Sequence, residues 1–217
     1  MIITVRGQHE LRLDPEQATL QLSVEAEGDD PGEVTEQILH ATRLVVDRLE
    51  ELRAAGATAV QHWVVDALIT SAWHPWGADG RPQPLRHRAQ QSLQVVFTDF
   101  VALAHEAAGW AAVPGLVIRR VDWSVAEHTR RRHEAQVLGA AVEDAGERAA
   151  VMARAAGRKQ IEFLELADPG LLRDSGAADD PPAPMMARRA SRDGVEPVRL
   201  SPEPIVLSAR VLARFEA

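Results

Sequence analysis

The chain closes on a strict two-residue alternation, with Ile205, Leu207, Ala209, Val211, Ala213 and Phe215 on one side of an extended segment. Period two marks a strand with one buried face. A strand ordered alone gains too little to offset its lost conformational entropy, so this one must pair with a strand from earlier in the chain. The preceding stretch offers no partner. Residues 168–204 hold seven of the thirteen prolines, together with Asp179-Asp180-Pro181-Pro182 and Arg188-Arg189. That composition reads as a long mobile loop. The strand must therefore return to one that precedes this stretch.

The same period opens the chain. Ile3, Val5, His9, Leu11 and Leu13 share one face, with Gly7 as an expected bulge. Asp14-Pro15-Glu16-Gln17 suits a type I turn, and Ala18, Leu20, Leu22, Val24 and Ala26 then alternate again. Residues 2–27 are expected to form a half-solvated antiparallel hairpin. After Asp29-Asp30-Pro31-Gly32 the period becomes helical, with a stripe of Val34, Ile38, Ala41, Val45, Leu49 and Leu52 ending at Gly56. A strand through Trp63, Val65, Ala67 and Ile69 follows, and a Pro- and Gly-rich connection at 74–85 joins it to Leu93, Val95 and Phe97 as a second hairpin. Residues 99–110 read as a short helix, Val117–Val125 as a fifth strand, 126–157 as a long helix and Ile161–Leu166 as a short strand.

The long helix carries an Ala-rich seam at Ala135, Leu138, Val142, Ala145, Ala149, Met152 and Ala156. Small side chains bury little area, so the seam is expected to lie against the protein's own sheet rather than in an intermolecular coiled coil. The whole reads as one α+β domain over 1–217. It is hairpin-rich, with a mainly antiparallel sheet covered by one medium and one long helix and a terminal strand returning to the sheet.

Composition narrows the function. At 217 residues the chain can bury a core without disulfides, and its lack of cysteine removes thiolate metal sites, iron–sulfur ligation and Cys nucleophiles. The net charge of −8 opposes binding to nucleic acid, which needs Lys and Arg to neutralise phosphates. No stretch approaches the roughly 20 apolar residues needed to cross a bilayer. The start, Met1-Ile2-Ile3-Thr4-Val5-Arg6-Gly7, has no basic segment followed by an apolar one and no small-residue cleavage site. On that start the expectation is a soluble, cytoplasmic protein.

The order of elements resembles the SIMPL family (DUF541) over nearly the whole chain. The resemblance rests on Ile3-Thr4-Val5-Arg6-Gly7, Asp14-Pro15 and the alternation Ala18 to Val24, then on Val34 to Leu52 with Gly56 and Val60 to Ser71. It continues through Arg88-Ala89 to Phe97, Asp99-Phe100 with Gly109, Ala135 to Gly157, and Ile205 to Phe215. Asp-Pro stands where the family usually has Pro-Asp, and His87 or Arg88 stands where it has Tyr. The resemblance implies a bacterial protein, a link to stress and assembly into homo-oligomers, with exported members in the periplasm or outer envelope. It supplies no catalytic residue.

Trp73-His74-Pro75-Trp76 is the most unusual local feature, and His87 returns near it across the loop. A metal site needs three or four ligands and only two imidazoles converge here, so an aromatic surface for protein contact fits better. Arg130, Arg131 and Arg132 at the start of the long helix could hold a phosphate, but Glu127 and Glu134 lie within reach and such runs are usually solvated. His128 and His133, five apart, fall on different helix faces. Searches for Gly-x-Ser-x-Gly, His-Glu-x-x-His, a Walker loop and Gly-x-Gly-x-x-Gly find none. No catalytic residue, cofactor or metal is therefore assigned. The sequence favours a non-enzymatic interaction or homo-oligomeric assembly protein that contacts itself or a protein partner. The alternative is a small-ligand binder or stress enzyme, with a pocket at the 73–88 hairpin mouth drawing on His74, His87 and Arg130 to Arg132.

Overall fold

A computed structural model describes residues 1–56, 58–77, 80–168 and 202–217. From 169 to 201 the loop expected over 168–204 lies outside the described residues. In chain order the elements are β1 (Ile2–Leu13), β2 (Gln17–Gly28), α1 (Pro31–Ala54), β3 (Val60–Val65), β4 (Ile69–Trp73), β5 (Arg86–Phe97), α2 (Phe100–Trp110), β6 (Leu116–Ser124), α3 (Glu127–Ala155), β7 (Glu162–Ala167) and β8 (Ile205–Glu216). They confirm the α+β class, with antiparallel pairing throughout. They fall into two compact units: β1, α3, β7 and β8 form the first, and β2 to β6 with α1 and α2 form the second.

In the first unit β8 is the middle of a three-stranded sheet ordered β1-β8-β7. The terminal strand thus finds its distant partner in β1, in unbroken register from Ile2 opposite Glu216 to Leu13 opposite Ile205. This overturns the expected hairpin over 2–27. β1 and β2 join different sheets, because β8 offers β1 twelve residues of matched alternation while β2 pairs with β5 and β6.

Gly7 is no bulge either. It stays in register opposite Val211, and its role is to let a helix approach. A Cβ there would overlap the Ala141 carbonyl oxygen and sit 2.8 Å from the Ala145 Cβ. The buried stripe of α3 is accordingly Val137, Ala141, Ala145, Ala149 and Ala153, and its four alanines pack on Ile3, Val5, Val211, Ala213 and Phe215. The expected 3-4 seam is half wrong: Ala145 and Ala149 belong to the contact, whereas Leu138 and Met152 are exposed. Backbone at Gly7 selects the face with the smallest side chains, not the one with the largest.

The second unit is a five-stranded sheet ordered β3-β5-β2-β6, with β4 also paired to β5. β2 occupies one side of β5 along 87–97, so β3 (against 93–97) and β4 (against 86–90) share the other side. The single strand expected through Trp63 and Ile69 is therefore broken at 66–68. A buried Gln fixes the break: Gln91 Nε2 donates to the Asp66 carbonyl and its Oε1 accepts from Thr42 Oγ1, both at 2.9 Å. Buried amides must be satisfied, and this one ties β5, α1 and the break together.

α1 lies on this sheet through Val34, Ile38, Val45 and Leu49, against Leu20, Leu22, Leu93, Val95 and Phe97. It starts where Asp30 accepts hydrogen bonds from the Gly32 and Glu33 amides. α2 starts on Asp99 in the same way and brings Trp110 to 6.3 Å from Phe97, ring centre to ring centre. Arg48 of α1 grips the buried Glu106 of α2 through two hydrogen bonds at 3.0 and 2.8 Å. Those bonds, with a third to Glu51, hold the guanidinium above its ordinary pKa.

Candidate functional site

The β4–β5 hairpin carries the residues singled out in the sequence, and its tip is built by short-range bonds. Three prolines at 75, 82 and 84 limit the backbone between the strands. Gly80 takes a left-handed conformation at φ +71°, which glycine adopts without strain, and its amide donates to the Gly77 carbonyl at 3.0 Å. The Gly77 amide donates to Arg81 O at 2.9 Å and the Gln83 amide to Pro75 O at 2.7 Å, while Trp76 and Pro82 form an isolated antiparallel bridge. Through 74–77 and 80–85 the connection thus extends the strand pair.

On this frame the two indoles differ. Trp73 ends β4 opposite Arg86 and is half-buried, and Arg86 in turn binds Asp29 at 2.8 Å. Trp76 is 76% exposed. His74 is bound through Nδ1 to the Gln83 carbonyl at 3.0 Å. His87 stands opposite Ala72 and lines a cleft of about 340 Å³ with Thr35, Thr70 and Ser71. Among the described residues no group of three His, Asp or Glu stands close enough to hold a metal.

Arg130, Arg131 and Arg132 sit on α3, in the first unit. Arg131 is bound to Glu127 at 2.6 Å, and Arg130 lines a groove with Glu134 and the 206–209 segment of β8. The cleft beside His87 takes its walls from α1, β4 and β5, all in the second unit.

Sequence reasoning missed a charge cluster on the second unit. Glu25 accepts from Arg88 at 3.0 Å, from Arg119 and from Ser23 Oγ at 3.1 Å, and Arg88 reaches Glu27 at 3.4 Å. The signal was the opposite charge of Glu27 and Arg88, which register places directly across from each other. Without the register it cannot be read.

The fold and the hairpin together define an α+β protein of two antiparallel sheets, each packed with helix, that displays one structured aromatic hairpin. The chain belongs to the SIMPL family, described as protein of unknown function (DUF541), whose model matches residues 3–215. No curated protein matches it. Among the described residues no helix is long and apolar enough to cross a membrane.

Proposed function

We propose that this chain works by contact rather than by chemistry, that the β4–β5 hairpin tip is its contact surface, and that the partner is a second copy. The observation that carries the reading is Trp76, 76% exposed between two backbone hydrogen bonds, Gly77 N to Arg81 O and Gln83 N to Pro75 O, that hold its stretch of the hairpin. An indole buries roughly 150–250 Å² when covered, and a fixed loop gives up little further entropy on docking. Both favour an aromatic anchor.

The test is solution mass. Replacing Trp73 and Trp76 together with Ala is expected to lower the mass while leaving most of the thermal transition in place, and Trp76→Ala alone is expected to do most of this. Anchor truncations of this kind cost about 2 kcal/mol or more of association. A double variant that keeps its mass and loses much of its stability makes the indoles core residues and ends the proposal. A part in stress responses comes from the family resemblance, and survival of a deletion strain under oxidative challenge tests it.

The cleft beside His87 supports a second reading, a site for a small polar ligand. A ligand that raises the melting temperature of the parent but not of His87→Ala would favour it.

A further inference from the structure

We propose that β4 is the strand through which two copies join, pairing antiparallel with itself about a two-fold axis at Ser71. This rests on the self-contact reading above and gives it a geometry.

The first argument comes from the margins of the two sheets, where unpaired strand edges invite association unless something interrupts them. Most are interrupted. On β1 the Gln8 amide donates to the Asp144 carboxylate of α3 at 2.9 Å. β3 shifts register between Val60 and His62, β6 carries Arg119 as an extra residue against Gln21 and Leu22, and β7 shifts between Phe163 and Glu165. Such bulges twist an edge and end its pairing. β4 has none: it runs in unbroken register from Ile69 opposite Gln90 to Trp73 opposite Arg86. Among the described residues no strand pairs with its other side.

Charge is the second argument. In a chain with 26% charged residues, β4 reads Ile-Thr-Ser-Ala-Trp and has no charge to repel another copy. Natural edges are commonly blunted by charged side chains, and β7 and β6 do carry them at Glu162, Glu165, Arg119, Arg120 and Asp122. The net charge of −8 opposes the approach of two copies in general. A neutral strand is where two copies can meet.

The register is also self-complementary. With Ser71 on the axis, Thr70 faces Ala72 of the other copy and Ile69 faces its Trp73, an aromatic and β-branched pair of the kind that stabilises antiparallel strands. Ile69 is 69% exposed, so it has area to contribute. Five residues alone fall short of the roughly 800 Å² per partner that a stable interface buries. The same register carries Trp76 of one copy past the end of the pairing to the 66–68 break of the other, which gives the exposed indole a surface to cover.

The lack of cysteine makes a direct test possible. Ser71→Cys places one thiol on the axis, where directly opposed residues have Cα atoms roughly 4.5–5.5 Å apart, within disulfide range. We expect the parent at the mass of two chains and Ser71→Cys trapped as a covalent dimer by mild oxidation. Val101→Cys, on α2 at a site 80% exposed, should not be trapped. Ser71→Glu sets two carboxylates face to face on the axis while each also faces Arg88 of its own sheet, and is expected to give the mass of one chain without lowering the thermal transition. The pairing is overturned if Ser71→Cys cross-links no better than Val101→Cys, or if Ser71→Glu keeps the parent's mass. Should Trp76→Ala lower the mass while Ser71→Glu does not, the hairpin contact stands and strand pairing is wrong. A parent that stays a single chain at every concentration overturns both.

Discussion

Two helix-on-sheet contacts in this molecule bury their faces completely and by opposite means. α1 meets its sheet through Val34, Ile38, Val45 and Leu49, and the facing strands supply Leu20, Leu22, Leu93 and Val95. α3 meets its sheet through Ala141, Ala145, Ala149 and Ala153, with Gly7 beneath. The first contact gains about 1.5–3 kcal/mol for each large side chain withdrawn from water. The second gains far less per residue and depends on close approach of backbone to backbone, where small gaps forfeit dispersion contacts. Equal burial therefore hides different weaknesses. The α1 contact is open to truncation and the α3 contact to enlargement.

The largest effect should come from removing β8. It is the middle strand of its sheet, so deleting residues 203–217 takes the only strand partner that β1 and β7 have among the described residues. We expect the parent to unfold in one calorimetric transition and the truncated chain to aggregate or remain unfolded. A truncated chain that melts like the parent would break the claim. One that keeps a separate, lower-enthalpy transition would show that the unit built around α1 folds alone.

Single substitutions sharpen the comparison. Phe97→Ala should cost about 3–5 kcal/mol in urea unfolding, as large truncations in a packed core do. Gly7→Val should cost about 3 kcal/mol, at the upper end of overpacking, because the group it meets is helix backbone and cannot rotate away. Ala145→Gly, a truncation in the α3 contact, should cost only about 1 kcal/mol, the helix propensity difference. If Ala145→Gly proves as damaging as Phe97→Ala, the two contacts do not differ in the way described.

The elements were legible in the sequence because periodicity is local. The stripe Val34 to Leu52 gave α1, and the alternation of 205–215 gave β8 along with its need for an earlier strand as partner. Pairing is not local. Asp14-Pro15 looks like a hairpin turn, and nothing in residues 2–27 says that β1 prefers a strand about 200 residues away. The face of α3 was misread for a similar reason: the 3-4 spacing from Ala135 to Ala156 suggested a face that takes in Leu138 and Met152, whereas Gly7, far off in sequence, decided it. At the candidate site, composition pointed to Trp73-His74-Pro75-Trp76. Which indole is open depends on the register of β4 with β5 and on bonds across the connection, and the groove that Arg130 lines, along 206–209 of β8, needs the pairing of the terminal strand to be known.

The smallest expected effect lies at the helix starts, where the same two regions differ again. α1 and α2 begin on Asp30 and Asp99, each of which accepts from two backbone amides, at 2.6 and 3.1 Å for Asp30 and at 2.8 and 3.1 Å for Asp99. α3 begins at Ala126 with no side-chain cap, so its stability has no such component to lose. Helix amides left without an acceptor must turn to water, and Asp30→Ala or Asp99→Ala should each cost about 1 kcal/mol. Asn keeps the accepting oxygen and drops the charge, so Asp30→Asn and Asp99→Asn should recover most of that loss. The remainder, about 0.3–1 kcal/mol at low salt, measures the carboxylate's interaction with the helix dipole and should shrink as salt is added. If Asn restores nothing in either helix, the hydrogen-bonding account of these starts is wrong, and the charge alone distinguishes α1 and α2 from α3.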